Sequence, residues 1–524
     1  MIVLIRRFPA NGVASESLAP YVKEGYTMPQ KPKSHGTETT PQIFDLRSAL
    51  EYLDTRPGDL MHLTEPVDPH NELAGLYRII STGRHQVPPA PYGPAMLFQK
   101  VKGYKNVRIT AGLLGTRERT AHLLGTRSEK LAGTLLEALE KPLATVTGSS
   151  THAPCQEIVH TAPLDVRRLL PAPTNTPLDA GPYFTMGLIR AEDPETGQSD
   201  VTIHRMCIQG PDLLSVYFVP GRHIDHFRIK AEKMNRPLPI SINIGLDPAV
   251  YLAACFEEPA TPLGFDELSI AGALRGHPVE LAPCVSVEAM AIAHAEIVIE
   301  GEILPGQRII EDGHTNTGFS MPEFLGYMGK AQPELPVIKI KAITHRRDPI
   351  LQTIFGPSDE FSNLMGIPTE AGILRLLDRS LPGRVLNLYS HPGGGGKCLL
   401  ILQFKKTSPA DEGRQRQAAL TAFAAFSELK QVILVDDDVN PFDSDDILWA
   451  LTTRFQGDHS TVFLPGFRCH PLDPSQSPEF SPFIASEGIS CKTIFDCTVP
   501  YRLRERFMRV PFEDVDVKRF VGEP

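Results

Sequence analysis

The sequence predicts a multidomain protein of the α/β and β-rich class, with two α/β regions on either side of a central region dominated by strands. At 524 residues and 41% hydrophobic content, the chain is longer than a single hydrophobic core usually supports. Helical and strand-like patterns alternate from about residue 45 to 145 and again after 346. Between these regions strand-like segments predominate, which indicates a barrel or a folded sheet.

The first 40 residues are predicted to form a flexible tail, because residues 30–36 are polar, contain proline and glycine, and lack periodicity. An N-terminal α/β domain then follows over 41–155. Its first helix begins after Asp45, and its strand-like and helical segments include 95–98 and 129–136. Apolar residues recur at helical spacing in that first helix, at Leu46, Ala49, Leu50 and Leu53.

The central domain is predicted over 156–345 and the C-terminal α/β domain over 346–524. One helix is expected in the central domain, at 247–254, among strands at 184–189, 201–208, 214–219, 240–244, 296–299 and 337–342. In the C-terminal domain we expect strands at 399–404 and 432–435 and helices at 371–377, 415–428 and 445–453.

Composition excludes several classes of protein. Charged residues make up 22% of the chain and its net charge is −10, which disfavours nucleic-acid binding. No run approaches the roughly 18 apolar residues that span a bilayer, and the opening MIVLIRR is too short for a signal peptide. The eight cysteines form no CxxC pair, which indicates reduced thiols rather than a zinc site. A cytoplasmic location is therefore expected, with no membrane or nucleic-acid partner.

Two motifs suggest chemistry that their details do not support. The run GGGGKC at 393–398 resembles a phosphate-binding loop, but Cys398 stands where serine or threonine should bind magnesium, and His391 replaces the first glycine. A flexible hairpin is the better interpretation. The acidic run at 436–438 follows an apolar strand, where metal ligands can lie, but a solvated turn is favoured.

The central region contains a more informative set. Alternation along the strand at 201–208 and the residue before it places Asp200, Thr202 and His204 on one face. His223 and Glu267 follow later in the chain. Asp, His and Glu together suit manganese or magnesium better than zinc or copper. The alternative is that each is a surface charge or a hydrogen-bonded polar residue of the core.

Five sequence segments in order give the chain its resemblance to a known family. They are KQVILVDDDVN (430–440) with DILWALTTR (446–454), VPGRHI (219–224), GLDPA (245–249), EGEI (300–303) and EFLGY (323–327). The chain resembles the UbiD family of decarboxylases, which use prenylated flavin mononucleotide (FMN), over most of residues 45–510.

The resemblance implies a central split-barrel domain that binds prenylated FMN, and a C-terminal domain that helps to form a homodimer or homohexamer. It implies a manganese ion (or magnesium) that bridges the flavin phosphate to the protein, usually with potassium nearby, and a flavin prenyltransferase that supplies the cofactor. The metal ligands then fall on Asp200, His223 and Glu267. Asp200 departs from the family's asparagine, and its added charge should strengthen metal binding and slightly oppose the phosphate. The implied cofactor-binding residues are Thr202, Ile203, His204, Arg205, Arg222, His223 and Lys492.

The resemblance further assigns the catalytic arginine to Arg205 and the proton-handling glutamate to Glu323. A second glutamate, found five residues earlier in the cinnamic-acid branch, falls on Gly318, so we expect an incomplete acidic network with His314 as a candidate partner. Strict alternation along the strand points Arg205 away from Asp200, whereas the resemblance places both residues near the cofactor. A β-bulge or a strand end between them would resolve this conflict.

The implied reaction is the reversible, non-oxidative decarboxylation of an aromatic or heteroaromatic acid through a prenylated-FMN adduct. Arg205 would orient the substrate and Glu323, and Glu323 would donate the proton. Phe319, Met321 and Phe324 would raise its pKa by desolvation. Because the acidic pair suited to cinnamic acids is broken, furan, pyrrole and indole carboxylates are favoured. The alternatives are a phenolic acid of the gallate or protocatechuate type, a non-catalytic prenyl-flavin carrier, and, less favoured for want of a nicotinamide fingerprint, a flavin oxidoreductase.

Overall fold

The N-terminal region contains a small mixed sheet, with both parallel and antiparallel strand pairs. The structure is a computed structural model that describes residues 42–82, 93–148, 153–219, 221–484, 486–513, 515, 516 and 519. The predicted tail at 1–40 lies outside these residues. The region contains α1 (Leu46–Asp54), β1 (Leu60–Leu63), α2 (Glu72–Thr82), β2 (Ala95–Phe98), β3 (Arg108–Ala111), α3 (Arg117–Leu123), α4 (Leu131–Glu140) and β4 (Val146–Thr147).

The first helix and the strand at 95–98 confirm the sequence patterns. Asp45 caps α1 by accepting a hydrogen bond from the backbone N–H of Ser48, and the four apolar residues at helical spacing are all buried. The helix expected at 129–136 is shifted, because a 3-10 turn at Ser128–Lys130 precedes α4.

The central region forms a closed barrel, which confirms the predicted split-barrel class. Its segments are β5 (Ile158–Thr161), α5 (Val166–Leu169), β6 (Tyr183–Glu192), β7 (Ser199–Ile208), β8 (Leu213–Val216), α6 (His223–Lys233), β9 (Leu238–Ile244), α7 (Pro248–Ala253), α8 (Leu268–Arg275), β10 (Glu280–Pro283), β11 (Met290–Ile292), β12 (Ile297–Ile309), β13 (Phe319–Pro322), β14 (Met328–Lys330), β15 (Leu335–His345) and β16 (Ile350–Gln352). Six antiparallel strands follow the order β12-β9-β6-β7-β8-β15, and pairing of β15 with β12 closes the ring. Closure leaves none of these six strands with an unpaired edge.

Period-two alternation explains the barrel strands. In β9, Ile240, Ile242 and Ile244 point into one apolar cluster, while the Ser241 and Asn243 side chains hydrogen-bond on the other face. After the barrel, β16 pairs with β3, so the chain returns to the N-terminal sheet before it enters the C-terminal region. The exact domain boundaries stay predictions.

Three helices described in the central region, α5, α6 and α8, were not predicted, and the last two position site residues. The helix α6 is rich in charged residues, but Ile224, Phe227 and Ala231 are buried along one side of it. The helix α8 is short and apolar, and its residues 268–272 are buried, so it resembles a core strand in sequence. His223 is the first residue of α6, and Glu267 immediately precedes α8.

The C-terminal region is an α/β unit, in agreement with its sequence pattern. It contains α9 (Asp359–Ser380), β17 (Val385–Ser390), β18 (Leu399–Phe404), α10 (Arg414–Ala425), β19 (Gln431–Val435), α11 (Ser444–Thr453), β20 (Thr461–Arg468) and β21 (Ile489–Asp496), with the sheet order β17-β18-β19-β21-β20. In the acidic run at 436–438, Asp436 and Asp438 form ion pairs with Arg454 at 3.1 and 2.6 Å.

Among the described residues, no helix combines the length and apolar character needed to cross a membrane.

Candidate active site

Three predicted metal ligands come together at the mouth of the barrel. Asp200 lies near the start of β7, and its Oδ2 is 2.6 Å from Nδ1 of His223. One ligand atom each from Asp200, His223 and Glu267 can be chosen so that all lie within 4.8 Å of one another. The sequence places these residues far apart, and the starts of α6 and α8 bring them to one point.

The electrostatics of this group suit a divalent cation. Glu267 is buried, and its Oε2 has no hydrogen-bond partner among the described residues. Burial raises the pKa of Glu267 well above its usual value, and the nearby Asp200 carboxylate raises it further. The hydrogen bond to Asp200 raises the pKa of His223. A bound cation would satisfy the unpartnered oxygen and offset the repulsion between the two carboxylates.

A second group centres on the Arg205 guanidinium. Its Nη1 contacts Glu323, its Nε lies 3.2 Å from Oε1 of Glu311, and its Nη2 lies 3.4 Å from Oε2 of Glu311. Tyr183 donates a hydrogen bond to Glu311 at 3.0 Å, and the backbone N–H of Gln332 donates another at 3.1 Å. Arg205 is thus held between two carboxylates.

The missing acidic partner is therefore present, and the expectation of an incomplete network is wrong. Glu311, only 1% exposed in its side chain, supplies Arg205 with the second carboxylate that Gly318 lacks. The partnership suggested for His314 is also wrong, since its Nε2 lies 2.9 Å from the backbone oxygen of Gln209. Glu311 was missed because it lies twelve residues before Glu323, and its approach to Arg205 depends on how the long strand β12 ends.

Three effects act on the pKa of the Glu323 carboxyl group, and the net shift is upward. Desolvation raises its pKa, Arg205 lowers it, and the negative charge of Glu311 raises it. A raised pKa keeps more of the carboxyl group protonated near neutral pH, which a proton donor requires. For Arg205, the two glutamates outweigh the opposing effect of burial and raise its pKa, so the guanidinium stays charged.

The neighbouring strand β6 has a bulge opposite Arg205. Phe184 pairs with Met206 and Gly187 pairs with His204, so two residues of β6 lie opposite Arg205 alone. Arg205 and Asp200 line the same cavity, which has a volume of about 300 Å³, although their positions along β7 differ by an odd number of residues. Other residues of its wall are Thr202, Ile203, His204, Arg222, His223, Glu267, Glu323, Phe324, Lys397 and His470.

The wall contributed by the C-terminal region carries charges that the sequence analysis missed. Lys397 Nζ lies 3.0 Å from Glu257 and 2.8 Å from Glu428, and Arg222 lies 2.8 Å from Glu257. The predicted hairpin is present, because the turn at 393–398 connects the antiparallel strands β17 and β18; it also contains part of a short 3-10 helix and buries Lys397 at the cavity. The sequence signal that could have indicated this buried charge was a lysine directly after four glycines.

Of two other residues predicted to bind the cofactor, one lines the cavity and the other does not. His204 lines the cavity, and burial together with Arg222 lowers its pKa to about 3, so its ring is neutral. Lys492 does not line the cavity described. It is fully buried behind the wall, where its Nζ donates to the backbone oxygens of Ser427 and Leu429. The prediction that Lys492 binds the cofactor is therefore corrected. Lys492 supports the segment that carries Glu428.

Sequence profiles identify the family. Three profiles match in order: the N-terminal domain of 3-octaprenyl-4-hydroxybenzoate carboxy-lyase at 52–139, its Rift-related domain at 147–358 and its C-terminal domain at 362–497. The chain belongs to the UbiD family of carboxy-lyases. This result confirms the resemblance and the enzyme class expected from the sequence.

Individual relatives cover nearly the whole chain. It is 46% identical over 479 residues to gallate decarboxylase of Lactiplantibacillus plantarum, across 90% of this chain and 98% of that protein. The apo structure of 3,4-dihydroxybenzoic acid decarboxylase from Enterobacter cloacae is 56% identical, with a TM-score of 0.88 over 92% of this chain and 99% of that one. The UbiD-class enzyme HmfF from Pelotomaculum thermopropionicum, in complex with FMN, is 35% identical, with a TM-score of 0.80 over 91% and 100%.

Proposed function

We propose that this protein decarboxylates a phenolic acid of the 3,4-dihydroxybenzoate or gallate type, with prenylated FMN held in the barrel cavity through a divalent metal. The observation that carries the proposal is the arrangement of Arg205 between Glu311 and Glu323, in the same cavity as the Asp200, His223 and Glu267 group. One side of the cavity can anchor a metal-bound phosphate, and another can orient and protonate a substrate.

The relatives support the phenolic substrate better than the furan, pyrrole or indole carboxylates favoured from the sequence. Proteins at 46% and 56% identity are a gallate decarboxylase and a 3,4-dihydroxybenzoic acid decarboxylase. The argument for heteroaromatic acids depended on a broken acidic pair, and Glu311 completes that pair. The same finding removes the reason for proposing a non-catalytic carrier.

The residues present fit the proposed cofactor. Glu267 offers an unpartnered buried oxygen to the metal, and neutral His204 has an unpartnered buried Nε2 among the described residues. Arg222 and Lys397 supply positive charge to the wall, although Glu257 and Glu428 offset part of it. When bound, a prenylated flavin supplies an electron sink for the ring carbon that loses CO2. A potassium ion and the choice of manganese over magnesium stay predictions.

The chain's own residues would then position the substrate and deliver the proton. Arg205 uses Nη1 and Nη2 to hold Glu323 and Glu311, and its remaining N–H groups can bind the substrate carboxylate. Glu323 would hand its proton to the ring carbon after CO2 departs, and in the reverse direction it would remove that proton. Phe324, buried beside it, limits access of water to this side of the cavity.

The test is a substrate panel with protein made beside a flavin prenyltransferase. The holoenzyme should release CO2 from 3,4-dihydroxybenzoate or 3,4,5-trihydroxybenzoate much faster than from furan-, pyrrole- or indole-carboxylate. The matched preparation from a host that lacks the prenyltransferase should be nearly inactive. Equal activity from both preparations would refute the cofactor, and turnover confined to heteroaromatic acids would refute the substrate class.

A further inference from the structure

The glycine-rich turn at 393–396 touches the hairpin that carries Glu323. Strands β13 and β14 form this hairpin, in which the backbone N–H of Glu323 donates to the oxygen of Tyr327 at 2.8 Å. The turn belongs to the C-terminal region and lies between β17 and β18. No role has been assigned so far to its glycines.

Gly395 is the glycine that faces this hairpin. A Cβ added there would overlap the Phe324 ring, lying 2.8 Å from Cε2, and would lie 3.3 Å from the backbone oxygen of Phe324. Gly395 also has a φ of +61°, a conformation that other residues rarely adopt. The absence of a side chain at 395 therefore lets the turn press directly against Phe324, the residue that follows Glu323.

Phe324 has little room to escape such a side chain. Its ring stacks on Phe361 of α9, with centroids 5.3 Å apart and planes 12° apart. On another side, the His470 ring meets it edge to face at 4.7 Å. Phe324 is 6% exposed, so a group inserted at 395 must move the Phe324 ring or the backbone that also carries Glu323.

We propose that Gly395 is a positioning residue, through which the C-terminal region presses on Phe324 and holds Glu323 against Arg205. This inference rests on the proposed function only in taking Glu323 as the proton donor. Because Glu323 reaches Arg205 through a direct contact, a small displacement of the hairpin separates the two groups. Such a displacement lowers the rate of the proton step and leaves Asp200, His223 and Glu267, which belong to other elements, in place.

The test uses the holoenzyme and a double-mutant cycle: Gly395→Ala, Phe324→Ala and the two combined. Gly383→Ala is the matched control, since Gly383 also lies in the C-terminal region with a φ of +69° but has no atom within 4 Å of an added Cβ. Both alanine substitutions place a side chain at a positive φ, and only the one at 395 meets Phe324. The readouts are kcat and KM for decarboxylation, flavin content and thermal midpoint.

We expect Gly395→Ala to lower kcat at least about tenfold, which corresponds to about 1.4 kcal/mol in the barrier, with KM and flavin content within about twofold of the Gly383→Ala values. In the Phe324→Ala background, the same substitution should change kcat less than twofold. An equal fall in both backgrounds, or a kcat equal to that of Gly383→Ala, overturns the proposal. If Gly395→Ala does not fold, the proposal requires the double variant to fold and to bind as much flavin as Phe324→Ala. A double variant that does not fold also overturns the proposal. Wild-type protein that releases no CO2 from any aryl acid instead rejects the proposed function.

Discussion

Replacing Glu311 with glutamine should shift the pH dependence of turnover while leaving the site assembled. In the structure, Oε1 of Glu311 accepts from the Tyr183 hydroxyl, and Oε2 accepts from the Gln332 backbone N–H and from Arg205. A glutamine amide can keep its oxygen at the second position and donate its NH2 to Tyr183. The substitution therefore removes the charge and the contact with Arg205 Nε, and preserves most hydrogen bonds.

The expected cost in stability is small for a buried charge. Removing one partner of a buried pair usually costs about 3–5 kcal/mol, because the other charge is left uncompensated. Arg205 keeps Glu323, so that penalty does not apply here. Replacing a charge-assisted hydrogen bond, worth about 1.5–3 kcal/mol, with a neutral one worth about 1 kcal/mol should lower the free energy of unfolding by about 0.5–2 kcal/mol.

The effect on catalysis has a defined sign. The negative charge of Glu311 helps to raise the pKa of Glu323, so its removal lowers that pKa. Glu323 donates only when protonated, and the alkaline limb of the kcat–pH profile should therefore move to lower pH. Glu370→Gln is the control. Glu370 is buried and forms a bidentate pair with Arg117 at 2.8 and 2.9 Å, away from the cavity wall. An alkaline limb that stays in place in Glu311→Gln, or that moves equally in Glu370→Gln, would show that the charge of Glu311 does not raise the pKa of Glu323.

Three further substitutions separate the remaining roles. His223→Ala should lower metal and flavin content together, measured by metal analysis and absorbance, and full flavin occupancy without metal would contradict a bridging ion. Arg205→Lys keeps the charge but loses the planar fork. If one charge-assisted hydrogen bond worth about 1.5–3 kcal/mol is lost, kcat/KM should fall roughly 10–100-fold, and near-normal kcat/KM would show that the fork is not needed. His314→Ala should keep kcat within a few-fold of wild type, because the His314 ring contacts the Gln209 backbone rather than the cavity; a loss of orders of magnitude would restore His314 as a catalytic candidate.

The fold was predictable where periodicity is strong. The helix beginning at Leu46 and the strands at 399–404 and 432–435 show clear patterns, and the structure contains each of them. The helix α6 was missed because its charges hide three buried residues at helical spacing. The helix α8 was missed because a short apolar run does not distinguish a helix from a core strand. Closure of the barrel follows from pairing between β12 and β15, which no local pattern reveals.

The candidate site was predicted only in part. The resemblance placed Asp200, His223 and Glu267 correctly as a cluster, and it paired Arg205 with Glu323. It did not find Glu311, because a fixed spacing of five residues was carried over, whereas Glu311 lies twelve residues before Glu323. Contacts such as those of Lys397 depend on how the C-terminal region packs against the barrel, and this packing is a tertiary property with no local signature.

In the proposed reaction, Glu323, held by Arg205, delivers the proton to the ring carbon that loses CO2. The most direct measurement is decarboxylation of 3,4-dihydroxybenzoate in deuterated water by the holoenzyme and by Glu323→Gln, with deuterium at the product's ring carbon followed by NMR. Wild type should place deuterium at that carbon. The variant should retain flavin and metal but turn over more slowly by roughly 10²–10⁴-fold, as expected for the loss of a general acid. Normal CO2 release and normal deuterium incorporation by flavin-loaded Glu323→Gln would contradict the assignment.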